Sequence, residues 1–286
     1  MEPTTDPGHP AARSYLFVPG DRPERFDKAW ASSADEIVID LEDAVPAPGK
    51  GTARDAVAAW LTPLRPVWVR INAADTEWFA RDLRLASQGG IAGFMLPKAE
   101  DLPESLLECC SEHLVPVIAL IETAQGMRQA LEVARAAPVQ RLAFGALDFQ
   151  AELDITGDDD ALLFFRSHLV LQSRLAGRAA PIDGVTLATD DAAAVRSDAD
   201  RARRLGFGGK LCIHPRQVDE VNAAFSPDEA QREWAQRVLA AMDESRGAAV
   251  AVDGKMVDRP LWLKARRIVA AASATGRRHA ARLEQQ

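Results

Sequence analysis

Two acids stand where apolar runs stop, Glu122 in "LIETA" (120–124) and Asp148 in "FGALDF" (144–149). Two hard oxygen donors converging on one point, with room for water and substrate oxygens, are how Mg2+ is usually held. A softer metal would want His or Cys, and none is placed for that. Arg70, near the end of "PVWVRIN" (66–72), adds a planar guanidinium that can grip a carboxylate or an enolate oxygen in a way lysine cannot. A cation beside a metal ion suits a reaction that builds negative charge on an oxygen next to a breaking or forming carbon–carbon bond. A thioester or 2-oxo acid enolate is the natural candidate.

These residues need a scaffold, and the chain offers a regular one. Short apolar runs recur as "YLFVPG" (15–20), "EIVIDLED" (36–43), "PVWVRIN" (66–72), "GFMLPK" (93–98), "PVIALIET" (116–123), "RLAFGALD" (141–148), "DGVTLAT" (183–189) and "GKLCIHP" (209–215). They are continuously apolar instead of alternating, as parallel strands covered on both faces are. Between them, stretches such as "RFDKAWASSA", "EWFARDLRLASQGG" and "GMRQALEVARAA" have helical spacing of apolar residues. Strand-then-helix units repeated in this way predict a (β/α)8 TIM barrel, with a C-terminal helical extension packed on it as an appendage. A doubly wound sheet is the rival, but nothing like GxGxxG follows the first run. In a barrel the site lies at the carboxyl ends of the strands, where Asp40, Glu42, Asp43, Arg70, Asn72, Lys98, Glu122, Thr123, Asp148 and His214 all fall. The expected division is a flexible tail over 1–12, a catalytic barrel over 13–224 and a C-terminal helical segment over 225–286. A long helix is expected from near Asp159, and the C-terminal segment opens on a helix with Ser226 and Glu229 in capping-box spacing.

Composition narrows the partners. The chain has 286 residues, 47% hydrophobic and 27% charged, which is ordinary globular material, and its net charge of -8 argues against a nucleic-acid or anionic-membrane partner. No apolar run approaches the roughly 18 residues of a membrane span, and "MEPTTDPGHPAARS" lacks the apolar core of a signal peptide, so a cytoplasmic location is expected. Cys109, Cys110 and Cys212 form neither a disulfide framework nor a CxxC knuckle and read as buried, inert thiols.

Taken together, "RSYLFVPGDRPERFDKA", "DLEDAVP", "VRIN", "LPKAE", "IET", "FGALDF", "KLCIHP" and "DGKMVD" resemble the citrate lyase β-subunit group of the HpcH/HpaI aldolase superfamily, which includes malyl-CoA and citramalyl-CoA lyases. The resemblance covers about residues 13–270, with its motifs in order. It implies a barrel with a C-terminal lid assembled as homotrimers or hexamers, Mg2+ on Glu122 and Asp148, and Arg70 with Glu122 contacting substrate. Arg13 and Lys98 are further substrate-binding candidates. The implied reaction cleaves, or forms by condensation, a 3-hydroxyacyl thioester from an acetyl or propionyl thioester and a 2-oxo acid such as glyoxylate, pyruvate or oxaloacetate. One departure is "AELDI" (151–155), where Glu152 and Asp154 replace an acid and a glycine, so that the loop could be shaped for a different acyl group.

Bland alternatives accompany each candidate. Glu122 could be a cap or an ion-pair partner, and Arg70 could simply be neutralised by the acidic end of the second run. Glu42 and Asp43 could pair with Arg70 or hold metal-bound water. Lys98 could be a surface ammonium, His214 a packing residue or a CoA contact, and Gly157 to Asp160 a solvated loop and N-cap. A catalytic proton acceptor is sought in "VDGKMVD", as Asp253 or Asp258, which the resemblance to the lyases implies would reach a neighbouring subunit's site on the lid; alternatively Asp253 and Gly254 make a tight turn. Two other functions stay open, a metal-dependent aldolase acting on free 2-oxo-4-hydroxy acids and the acyl-lyase subunit of a carrier-protein complex.

Overall fold

The computed structural model describes residues 12–245 and 249–283, with side chains as far as residue 272. These residues divide into two compact units, 12–222 and 223–283. The tail expected over 1–12 lies outside the described residues except for Ala12, which is 4% exposed and belongs to the barrel interior.

In the first unit, parallel strands close into a barrel in chain order. They are β1 (Ser14–Pro19), β2 (Glu36–Asp40), β3 (Val67–Arg70), β4 (Ile91–Leu96), β5 (Val117–Ile121), β6 (Val139–Phe144), β7 (Ile182–Asp183) and β8 (Gly209–Cys212). The closure is β1 on β8, with Leu16 opposite Cys212. Alternate residues point inward and fill the barrel: Tyr15, Val38, Trp68, Met95, Ile118, Leu120, Ala143, Ile182 and Leu211 form one buried cluster. Large and small residues interlock there. A methyl on Gly93 would stand 2.2 Å from the Trp68 ring, so the indole occupies the space a side chain would need. Outward residues of the same strands are also buried, and this explains the continuous apolar runs.

The helices follow the same logic. Ala124–Arg135 starts on Thr123, whose hydroxyl accepts the Gly126 N–H at 3.0 Å, and it buries Met127, Ala130, Val133 and Ala134 against the sheet. After β3 the expected helix over "EWFARDLRLASQGG" is instead Phe79–Asp82 followed by a 3-10 turn at Leu83–Ser87. The Asp82 carboxylate turns inward there, accepting from the Asn72 backbone and side-chain N–H groups and from Arg54.

β7 is shorter than its sequence suggests. The run expected over 183–189 leaves the sheet after Asp183 because side chains capture its carbonyls. Lys210 Nζ donates to Gly184 O at 2.7 Å, and the Gln217 amide donates to Thr186 O at 2.7 Å and Ala188 O at 3.0 Å. Behind it, the buried Asp183 carboxylate holds Arg166 at 2.9 Å and Lys210 at 3.2 Å.

The helix expected from Asp159 spans Asp159–Leu175. Gly157, Asp159 and Asp160 are exposed, as expected of a solvated loop and helix start, whereas Asp158 at the N-cap position is partly buried and holds Arg166 and Arg201 at 2.6 Å each, its side chain making no cap bond.

The second unit contains a helix, Glu229–Glu244, a two-stranded antiparallel hairpin of β9 (Val250–Val252) and β10 (Lys255–Val257), and a helix, Arg259–Leu283. Ala235, Val238, Met242, Val252, Val257 and Ala265 form its core. The first helix is capped by Asp228 and Gln231, two residues beyond the expected Ser226 and Glu229 pair, since Asp228 accepts the Gln231 N–H at 2.7 Å. No helix among the described residues is long and apolar enough to cross a membrane.

Candidate active site

The carboxyl ends of the strands surround a cavity of about 380 Å3. Arg70 ends β3 directly beside Asp40, which ends β2. Its guanidinium is gripped in a fork, Nε to Asp40 Oδ1 at 2.7 Å and Nη2 to Asp40 Oδ2 at 2.6 Å. Nη1 meets Glu42 Oε2 at 2.9 Å and donates to Asp43 Oδ2 at 3.3 Å, and the group lies 4.9 Å over the Phe17 ring. Asp40 also accepts the Glu42 and Ala44 N–H groups, at 2.9 and 3.1 Å, so the acid that aims Arg70 is itself fixed to the backbone. Burial would lower the Arg70 pKa; Asp40, then Glu42 and Asp43, outweigh it and leave it raised. Burial also pushes the Glu42 carboxyl up to about 7 against the pull of Arg70, with Asp43 adding to the rise.

Glu122 follows β5 and is 2% exposed. Its Oε1 accepts the Lys98 backbone N–H at 2.8 Å, and its Oε2 is buried with no hydrogen-bond partner. Burial, and next the charge of Asp148, push its pKa up to about 8. Gly145 is what makes room for it: a methyl there would stand 2.3 Å from Oε2.

Asp148 is not at a strand end as the sequence suggested. β6 stops at Phe144, and Asp148 sits exposed in the first turn of the helix Ala146–Leu153, on the cavity wall. No group of three or more His, Cys, Asp or Glu among the described residues could enclose a metal ion alone. The donor set is a buried carboxylate oxygen lacking a partner and an exposed carboxylate whose charge it feels. That set fits Mg2+, which keeps several waters and substrate oxygens, and fits poorly with a metal needing an all-protein cage.

Other candidates fall elsewhere. Arg13 is corrected as a substrate contact: it precedes β1, at the opposite end of that strand from the cavity, and its guanidinium pairs with Asp35 at 2.8 Å. Lys98 adopts φ 47°, its Nζ is 4.0 Å from Glu42, and its side chain is half exposed beyond the cavity lining. His214 Nδ1 accepts the Arg216 N–H at 3.2 Å, capping the turn Pro215–Gln217. The departure at 151–155 does not line the cavity. Glu152 accepts the Ala124 N–H at 2.9 Å, and Asp154 takes the left-handed position closing its helix. In the second unit, Asp253 and Gly254, at φ 53° and 73°, form the tight turn of the hairpin, and Asp253 is held by Arg237 at 2.9 Å. Asp258 is exposed and precedes the last helix.

From the sequence Asp40 was read only as part of the acidic run end that could neutralise Arg70, and Gly145 received no role. The signal for Asp40 was available in two charged residues closing adjacent strands. Gly145 gave none, because only the packing reveals what it accommodates.

The family model described as HpcH/HpaI aldolase/citrate lyase matches residues 13–215. A citrate lyase subunit beta-like protein of Mycobacterium tuberculosis is 39% identical over 262 residues, covering 88% of this chain and 92% of that protein. A (3S)-malyl-CoA thioesterase of Cereibacter sphaeroides is 34% identical over 271 residues, covering 92% and 95%. Among solved structures, the M. tuberculosis protein CitE in complex with magnesium, acetoacetate and coenzyme A superposes with a TM-score of 0.81 at 38% identity, covering 92% of this chain and 98% of that one.

Proposed function

The chain belongs to the HpcH/HpaI aldolase/citrate lyase family, and on that premise we propose a Mg2+-dependent carbon–carbon lyase that splits a 3-hydroxyacyl-CoA thioester into an acyl-CoA and a 2-oxo acid, or joins them by condensation. The observation that carries this reading is the partnerless buried oxygen of Glu122, sharing one cavity with Asp148 and Arg70. The magnesium and coenzyme A in the CitE complex support it.

Glu122 and Asp148 would hold the metal, which when bound supplies Lewis acidity toward substrate oxygens. Glu122 is oriented for this by the Lys98 N–H and by the space at Gly145. Arg70 keeps a fixed positive charge where the enolate oxygen forms as the carbon–carbon bond breaks, and its fork on Asp40 means little reorganisation is needed at that moment. Glu42 and Asp43 steady the guanidinium, and with a metal bound they would also order its water. The hydroxyl proton passes to a carboxylate of the second unit, Asp253 or Asp258, brought to a neighbouring subunit's barrel in a homotrimer or hexamer, and returns from it to the enolate carbon to complete the acyl-CoA. Both acids are exposed, and Asp253 is paired with Arg237.

The test is a panel of 3-hydroxyacyl-CoA thioesters with Mg2+, following the thioester, free CoA and 2-oxo acid together. Release of a 2-oxo acid and an acyl-CoA is expected, lost in Asp148→Ala and Glu122→Ala proteins that keep the wild-type circular dichroism. CoA released without any 2-oxo acid would indicate hydrolysis, the activity named for the Cereibacter relative. Turnover of free 2-oxo-4-hydroxy acids, or of thioesters only on a carrier protein, would favour those alternatives.

A further inference from the structure

Lys50 is 7% exposed and forms no ion pair among the described residues. It also opens the helix Lys50–Trp60, at the end where the backbone dipole disfavours a cation. Burial lowers the pKa of its amine, and Glu42, Asp40 and Asp43 work against that fall. A buried charge without a carboxylate partner is costly unless its hydrogen bonds are well met, so the contacts of this amine are what it is there for. Nζ donates to Leu41 O at 2.9 Å and to Glu42 O at 2.7 Å, and it lies 5.2 Å over the Trp78 ring.

Those carbonyls belong to the loop that follows β2 and governs part of Arg70. Asp40, at the strand end, engages Nε and Nη2 of the guanidinium. Nη1 is met by Glu42 and Asp43 of the loop instead, at 2.9 and 3.3 Å. The Leu41 N–H donates to Arg70 O at 2.9 Å, so the loop turns an N–H and two side chains toward Arg70 and two carbonyls toward Lys50. The segment after β3 is fastened from the same helix. Trp78 lies beside the amine, and Arg54, one turn on from Lys50, donates to Asp82 at 2.7 Å, whose other oxygen accepts the Asn72 N–H at 2.9 Å. Lys50 and Arg54 thus tie down the segments leaving β2 and β3, the strands that Asp40 and Arg70 end.

We propose that Lys50 is a positioning residue for Arg70, its amine holding the loop 41–43 so that Glu42 and Asp43 keep Nη1 fixed in the cavity wall. Lys50 does not line the cavity and acts only through the loop. The kinetic consequence rests on the lyase reading, and the geometric one does not.

The experiment compares the full-length, Mg2+-loaded wild type with Lys50→Met, which keeps an unbranched side chain and removes its donor, and with Val57→Ala, which removes buried packing from the same helix. Lys50→Met is expected to lower kcat by about 10- to 100-fold, the scale of a catalytic group misplaced by up to about 1 Å, with KM and the calorimetric Mg2+ affinity within about 2-fold of wild type. Its crystal structure should show Glu42 and Asp43 beyond about 4 Å from Nη1, with the fork on Asp40 kept. Val57→Ala is expected to lose stability while kcat stays within about 2-fold. Wild-type kcat in Lys50→Met, an effect on KM alone, or an equal fall of kcat in Val57→Ala would overturn the positioning role, as would a crystal structure with the loop and Arg70 unmoved. Absence of turnover of every thioester by the wild type would sink the lyase reading, and the crystal structure would then decide alone whether Lys50 positions Arg70. Should Lys50→Met not fold, Lys50→Gln, neutral and polar, takes its place in the same measurements.

Discussion

Replacing Gly145 with alanine adds one methyl group, and its consequences can be worked out. Gly145 has φ -85° and ψ 71°, a backbone that alanine tolerates, so torsional strain is not the issue. The added carbon would stand 2.3 Å from Glu122 Oε2 and 2.5 Å from Glu122 Cβ, more than about 1 Å inside ordinary contact. The Gly145 backbone cannot retreat easily, since its N–H donates to Ile121 O at 2.9 Å and its carbonyl accepts the Phe149 N–H at 3.1 Å. Glu122 must therefore move, breaking its bond to the Lys98 N–H. Overpacking of this kind costs about 1–3 kcal/mol of stability, and misplacing a catalytic group by about 1 Å costs on the order of 100-fold in rate. Calorimetric Mg2+ titration and steady-state turnover of Gly145→Ala should show both weakened, with the fold retained. Gly51→Ala is the control. Nothing lies within 4 Å of the added methyl in the helix Lys50–Trp60, so activity should be unchanged and stability raised by about 0.4–1 kcal/mol. A Gly145→Ala protein with wild-type metal affinity and rate would refute the idea that this glycine exists to seat Glu122.

Arg70→Lys cannot reproduce the fork on Asp40 and should lower kcat far more than it raises KM; a change in KM alone would reduce Arg70 to a binding role. Mixing an Arg70→Ala protein with an Asp253→Asn/Asp258→Asn protein, under conditions of subunit exchange, should restore part of the activity neither has alone. No recovery despite demonstrated exchange would remove these acids from a neighbour's site. Asp183→Asn leaves Arg166 and Lys210 buried with a neutral partner and should cost about 3–5 kcal/mol in urea unfolding, and a loss below about 1 would refute that account. Burial pushes the Cys110 and Cys212 thiols up to about 12, which keeps them protonated and unreactive near neutral pH. A thiol reagent should therefore label the partly exposed Cys109 first and the other two only after unfolding; equal labelling of Cys212 in the native protein would contradict its burial.

The barrel was legible because parallel strands buried on both faces must be written as unbroken apolar runs, and "EIVID" or "VIALI" has no other economical use. The end of β7 was not legible. "GVTLA" has strand composition, but Lys210 and Gln217 take its carbonyls, and those side chains come from beyond it in sequence. Arg70, Glu122 and Asp148 could be singled out by residue type because the cavity that gathers them lies at the ends of strands the sequence reveals. The helix under Asp148 was missed since "FGALDF" continues the apolar run of β6 without punctuation other than Gly145. Arg13 misled for a different reason: a motif identifies the residue, but an arginine before the first strand lies at the wrong end of it. At Asp253 the turn chemistry of Asp-Gly was plain, and its carboxylate was claimed by Arg237, more than a helix turn away in sequence.

Lys98 reverses the usual relation between exposure and tolerance to substitution. Glu122 is steadied by the peptide N–H of Lys98, whereas the lysine side chain is 51% exposed. The amide reaches that position because Lys98 takes a left-handed backbone at φ 47°. Natural variation there should follow backbone geometry and ignore side-chain chemistry. Glycine and asparagine would be accepted, with the charge dispensable, whereas valine and isoleucine would resist the conformation and proline would have no hydrogen to donate. A solvent-facing position thus inherits the mutational intolerance of a core one, and lineages drifting from lysine would be channelled through the few residues at ease with positive φ.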